Sequence, residues 1–178
     1  MTARPEFSRP IRGEQVPMAG VEHDIEANEK ERAALAERFG LLAVNRLTAT
    51  VKVKPFRGGQ LFRVTGRLSA DVVQACVVTL EPVPAKVVED FQVTFGPESG
   101  EEEGDEVEIS LEDEDFPDPM VGGIIDIGEV VAEHLALGLD PFPRARGAKV
   151  PKAFSEPEPA EEKPGPFAAL ARLRQKKE

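Results

Sequence analysis

The feature that most constrains this chain is a strict two-residue alternation between Arg46 and Leu68. Leu47, Ala49, Val51 and Val53 interleave with Arg46, Thr48, Thr50, Lys52 and Lys54. After the turn Arg57-Gly58-Gly59-Gln60 the pattern resumes, with Phe62, Val64 and Leu68 set against Arg63, Thr65 and Arg67. Successive side chains of a strand point to opposite faces, so this period predicts two half-buried strands joined as a β-hairpin. One face must enter a core and the other must meet solvent.

On the amino-terminal side, residues 28–40 predict an amphipathic helix. Asn28 caps it, Glu31 completes a capping box, Gly40 stops it, and Ala34, Leu35 and Phe39 lie opposite Glu29, Arg32 and Glu37. Its expected role is to cover a sheet. Beyond the hairpin, Asp71 to Leu80 is more continuously apolar, as in a strand covered on both faces. Glu81-Pro82-Val83-Pro84 is expected to break it, because proline lacks an amide donor and fixes φ. Val87, Phe91, Val93 and Phe95 then alternate up to Gly96-Pro97, so the expected order is one helix followed by four strands.

Charge is unevenly placed. The net charge is −11, yet twelve of the 33 acidic residues fall between Pro97 and Asp118, where there is no basic residue, and the remaining 21 are matched by 22 basic ones. The acidity therefore belongs to one insert, residues 97–118, whose glycine-rich part is expected to be mobile. Val107, Ile109 and Leu111 within it permit a short, charge-protected edge strand. It lacks the glycine and ligand spacing of an EF-hand calcium loop.

From Gly122 the chain turns apolar. Asp126 with Glu129 predicts a second capping-box start, to a helix carrying Ile127, Val130, Val131, Leu135 and Leu139 at helical spacing, with Pro141 and Pro143 ending it. The stretch from Arg144 to Gly165 is proline-rich and acidic and is expected to be a flexible linker; Pro166 to Arg174 predicts a short basic helix.

The exclusions are short. Residues 1–11 contain no apolar core of a secretory signal, and no stretch approaches the roughly 18 apolar residues needed to span a bilayer, so a cytoplasmic protein with no membrane partner is expected. Cys76 is the only cysteine, which excludes an internal disulfide and a cysteine zinc cage; its expected role is that of a small buried hydrophobe. His23 and His134 are the only histidines, and no nucleophile has a base and an orienting acid at a recognisable spacing. No catalytic residue, metal or cofactor is expected, and the chain reads as no enzyme.

These elements give an α+β fold: an antiparallel sheet, open to barrel-like closure, with two covering helices, an acidic mobile loop and a flexible carboxy-terminal arm. One compact domain is expected over residues 1–145, with linker and basic helix over 146–178. Three stretches then resemble the YceD family, the large ribosomal RNA subunit accumulation proteins. Val73 to Val83, VQACVVTLEPV, is similar to its central strand and turn; Gly122 to Ala145 is similar to its glycine, Ile-Asp-Leu and Glu-rich helix; Lys163 to Lys177 is similar to its Lys-Pro-Asn-Pro-Phe-Ala ending and basic tail. Thr79 stands where many relatives have a second cysteine, and Gly165 where asparagine is usual, so no cysteine-pair chemistry carries over.

The resemblance implies a bacterial factor in the accumulation or processing of large-subunit (23S) ribosomal RNA. Candidate RNA contacts are Arg46, Lys52, Lys54, Arg57, Arg63 and Arg67 on the hairpin, which holds no acidic residue from Ala43 to Leu68, and Arg172, Arg174, Lys176 and Lys177 in the tail. No aromatic accompanies the hairpin cations, which points to the RNA backbone rather than its bases. Phe167, Leu170 and Leu173 are candidates for docking a partner. Two classes remain open at this point: a factor that binds ribosomal RNA or a large-subunit precursor, and an acidic escort that shields a basic ribosomal protein without touching RNA. Alongside both stands the plain alternative of a solvated basic sheet face.

Overall fold

The structure is a computed structural model in which residues 5–97 and 117–149 are described. The chain divides into a unit of residues 1–146 and a second of 147–178. Three expectations lie outside the described residues: the edge strand through Val107, Ile109 and Leu111, the linker with its basic helix, and most of the acidic insert.

The elements in order are β1 (Pro10–Arg12), β2 (Val21–Glu26), α1 (Glu29–Phe39), β3 (Ala43–Phe56), β4 (Leu61–Ala75), β5 (Pro82–Gly96), β6 (Asp118–Pro119), β7 (Ile124–Asp126) and α2 (Ile127–Leu137). Five strands form one sheet in the order β2-β3-β4-β5-β6, antiparallel except for the short β5–β6 pair. β1 and β7 form a separate antiparallel pair. The expected α+β class with two covering helices is what the structure shows. Among the described residues the sheet is open rather than barrel-like, since β2 and β6 end the order and do not pair with each other. Helices bury its inner face, so the sheet does not have to curl on itself to do so.

The alternation explains the core directly. Leu47, Val51 and Val53 of β3, with Val64, Leu68 and Val72 of β4, are fully buried; they meet Leu35 of α1 and Ile127, Val131 and Leu135 of α2. Burying each such side chain contributes about 1.5–3 kcal/mol. At Gly66 the pattern leaves a gap that has a use: a Cβ there would lie 2.5 Å from the Phe91 ring. That ring instead stacks on His134 of α2, centroid to centroid at 4.6 Å. His134 therefore packs α2 onto β5, with Nδ1 2.9 Å from Glu89 Oε1.

α1 forms as expected. Asn28 Oδ1 accepts the Glu31 amide at 3.1 Å, Glu31 Oε2 accepts the Asn28 amide at 2.8 Å, and Gly40 ends the helix at φ 64°. α2 departs from expectation at its start. Asp126 accepts the Gly128 and Glu129 amides, but Glu129 does not answer as a capping-box partner. Its carboxylate is taken by Arg38 of α1, at 2.6 and 3.0 Å, and this pair ties the two helices together.

Two further expectations are corrected. The apolar run after Asp71 is not a new strand covered on both faces. It continues β4, which runs unbroken from Leu61 and alternates, with Val72 and Gln74 buried and Asp71 exposed. Nor do Pro82 and Pro84 break the sheet; they begin β5, opposite Ala75 and Val73. They share strand parity with Gly96, whose carbonyl accepts the Met120 amide on the side away from β4. Their missing amides thus face away from β4, where the ladder needs no donor.

Candidate nucleic-acid interface

The register of the sheet decides what each basic residue of the hairpin faces. On the outer face, Phe56 of β3 lies opposite Leu61 of β4 at the tip. Next, Lys54 faces Arg63, which faces Thr94 of β5. The third row is Glu22, Lys52, Thr65 and Gln92; the fourth is Asp24, Thr50, Arg67 and Asp90. At the far end Arg46 faces Asp71, which faces Lys86. Directly opposite side chains have Cβ atoms about 5 Å apart, so each row is a set of electrostatic neighbours.

As expected, Arg46, Lys52, Lys54, Arg63 and Arg67 share the exposed face. They are not equivalent. Arg67 donates to both carboxylate oxygens of Asp90, Nε to Oδ1 at 2.7 Å and Nη2 to Oδ2 at 2.6 Å. Hydrogen bonding from Arg67 holds the Asp90 carboxyl below its ordinary range. Both side chains are about two-thirds exposed, so solvent screens the pair and it contributes little stability, but its charge is cancelled locally. In the same row Asp24 Oδ1 accepts from the Thr50 hydroxyl at 2.6 Å.

Nearer the tip the situation reverses. Lys52, Lys54 and Arg63 enter no ion pair among the described residues. Lys54 and Arg63 are like charges set directly opposite, an arrangement that disfavours pairing unless an anion lies between them. Arg57 sits in the turn itself, at φ 48°. The structure thus brings Lys52, Lys54 and Arg63 together and sets Arg46 and Arg67 apart from them. Arg172, Arg174, Lys176 and Lys177, and the apolar Phe167, Leu170 and Leu173, lie outside the described residues.

Sequence reasoning missed two parts of this surface. The acids Glu22, Asp24 and Glu26 come from β2, whose own alternation, Val21-Glu22-His23-Asp24-Ile25-Glu26, is the signal that would have found them. An aromatic is also present where none was expected. Phe56 lies on the outer face, half-buried, and the Arg63 guanidinium carbon sits 4.8 Å from its ring centroid.

Elsewhere the chemistry-bearing residues are occupied. Cys76 is fully buried, as expected, but its sulfur is not merely apolar filling. It accepts the amides of Ala145 at 3.3 Å and of Val78 and Thr79 at 3.4 Å. Hydrogen bonding from the Ala145 amide first, then from the Thr79 side chain and the Thr79 and Val78 amides, draws its pKa down to about 7 against the opposing effect of burial. These hydrogen bonds also fasten the turn after β4 to the segment after α2, where the Val77 amide reaches the Pro143 carbonyl at 2.9 Å. Among the described residues no group of three or more His, Cys, Asp or Glu side chains could hold a metal ion. Among them, too, no helix is long and apolar enough to cross a membrane.

Comparison with known proteins gives one finding. A family model described as "Large ribosomal RNA subunit accumulation protein YceD" matches residues 64–174, from near the start of β4 past α2. No curated protein and no solved structure matches the chain. Lys52, Lys54 and Arg63 precede the matched stretch, and Arg67 lies within it. The match covers more than half of the chain and includes most of β4, the turn at Cys76 and all of α2, so the chain belongs to the YceD family of large ribosomal RNA subunit accumulation proteins.

Proposed function

We propose that this protein is a non-enzymatic, cytoplasmic bacterial factor that supports accumulation of 23S ribosomal RNA by binding the RNA or a large-subunit precursor through the tip of the β3–β4 hairpin. The observation that carries this reading is the row Lys54–Arg63 with Lys52 beside it: three exposed cations on paired strands, with no carboxylate bound to them among the described residues. Phosphates would neutralise these cations and release the counterions condensed on the RNA, which is the main source of sequence-independent affinity. A binding role rather than catalysis fits the other candidates, since His134 is stacked in the α2–β5 interface and the Cys76 sulfur is enclosed by amides.

The test is a binding titration of the full chain against a large-subunit ribosomal RNA fragment at about 0.1 M salt. Replacing Lys52, Lys54 and Arg63 together with alanine is expected to weaken binding by about three orders of magnitude, about tenfold per lost phosphate contact. Affinity unchanged by the triple substitution removes the hairpin as the RNA surface.

A further inference from the structure

Resting on the reading of the hairpin tip as the RNA surface, we infer that the tip takes the sugar–phosphate backbone of double-helical RNA rather than the bases of a single strand. Proteins that hold single strands combine a positive groove with exposed aromatic platforms on which bases stack. This face lacks such a platform. Its one aromatic among the described residues, Phe56, is half-buried and lies beneath the Arg63 guanidinium at 4.8 Å. A flexible strand ordered on three cations would lose conformational entropy with no stacking to offset it. A duplex arrives with its phosphates already spaced, and the cations are fixed on a ladder whose register runs without a break from Arg46↔Asp71 to Phe56↔Leu61.

The neutral residues of the same rows complete the fit. Thr94 lies beside Arg63, while Thr65 and Gln92 lie beside Lys52. Hydroxyl and amide groups can both donate to and accept from a ribose 2′-hydroxyl, the group that separates RNA from DNA in a shallow minor groove. Glu22 lies opposite Lys52, and Asp24 and Asp90 lie in the next row; these acids repel further phosphate, so the footprint is short and confined to the tip.

The experiment compares three labelled probes of one sequence, about twenty nucleotides long: duplex RNA, the single RNA strand and duplex DNA, titrated with the full chain. Duplex RNA is expected to bind at least about tenfold more tightly than the other two, and Lys54→Ala with Arg63→Ala should abolish that binding. The substituted side chains are exposed, and an unchanged melting temperature confirms that the variant folds. Equal or tighter binding of the single strand or the DNA, still lost in the variant, overturns the duplex-RNA inference and leaves the hairpin tip as a binding surface. Duplex binding that the variant retains, or no binding of any probe, overturns both.

Discussion

The row Lys54–Arg63 and the row Thr50–Arg67 lie on one face of one hairpin, two rows apart, and both carry arginine. In the second, Asp24 and Asp90 arrive from the flanking strands and occupy the polar groups. In the first, β5 contributes Thr94 and no acid. The hairpin's own residues cannot distinguish these rows, because the difference is made by β2 and β5. A basic stretch therefore becomes a site only where its cross-strand neighbours leave it unpaired.

The largest expected effect separates both rows from the face beneath them. Leu68→Ala, next to Arg67 but fully buried, is expected to cost about 2–5 kcal/mol in a denaturant titration. Arg67→Ala, at a solvent-screened surface pair, is expected to leave the midpoint almost unchanged. A comparable loss from both would mean that the outer rows are structural.

Between the rows, charge reversal of Lys54 and Arg63 together is expected to lower RNA affinity by about a hundredfold or more, and Arg67→Ala by about threefold or less. Equal losses would erase the distinction. Lys54→Glu alone gives Arg63 an opposite partner, so it should raise stability by about 0.2–1 kcal/mol while still weakening RNA binding. Stability and affinity falling together would contradict the unpaired-cation reading.

The smaller effects sharpen the contrast. Asp90→Ala frees Arg67 and is expected to tighten RNA binding a few-fold, measured by the same titration. For Cys76, the folded pKa near 7 lies below the ordinary thiol value of 9.0, so the folded state favours the thiolate. Its stabilisation is present above the unfolded value and is lost as pH falls through about 7. Stability should therefore rise from pH 7 to 9 in the native chain, and that rise should shrink in Cys76→Ala.

Much of the fold was legible because local pattern decides it. The alternation of β3 and β4 marked Leu47, Ala49, Val51, Val53, Phe62, Val64 and Leu68 as buried, and Asn28, Glu31 and Gly40 marked both ends of α1. What was not legible depends on partners distant in sequence. Pro82 and Pro84 looked like breakers until the open side of β5 supplied a place where no donor is needed. Glu129 looked like half of a capping box until Arg38, 91 residues away, took it. Asp71 looked like the start of a new strand, but it lies on the exposed face of a continuous β4. The candidate site followed the same division: its cations could be named from the chain, and their neutralising or absent neighbours could not.

The most direct test of the hairpin tip is the salt dependence of its RNA affinity. The slope of log K against log salt should become shallower by about two when Lys54 and Arg63 are replaced by alanine, and should stay within about one of the native value for Arg67→Ala. A native slope in the double variant would contradict the claim that RNA is held at the unpaired row.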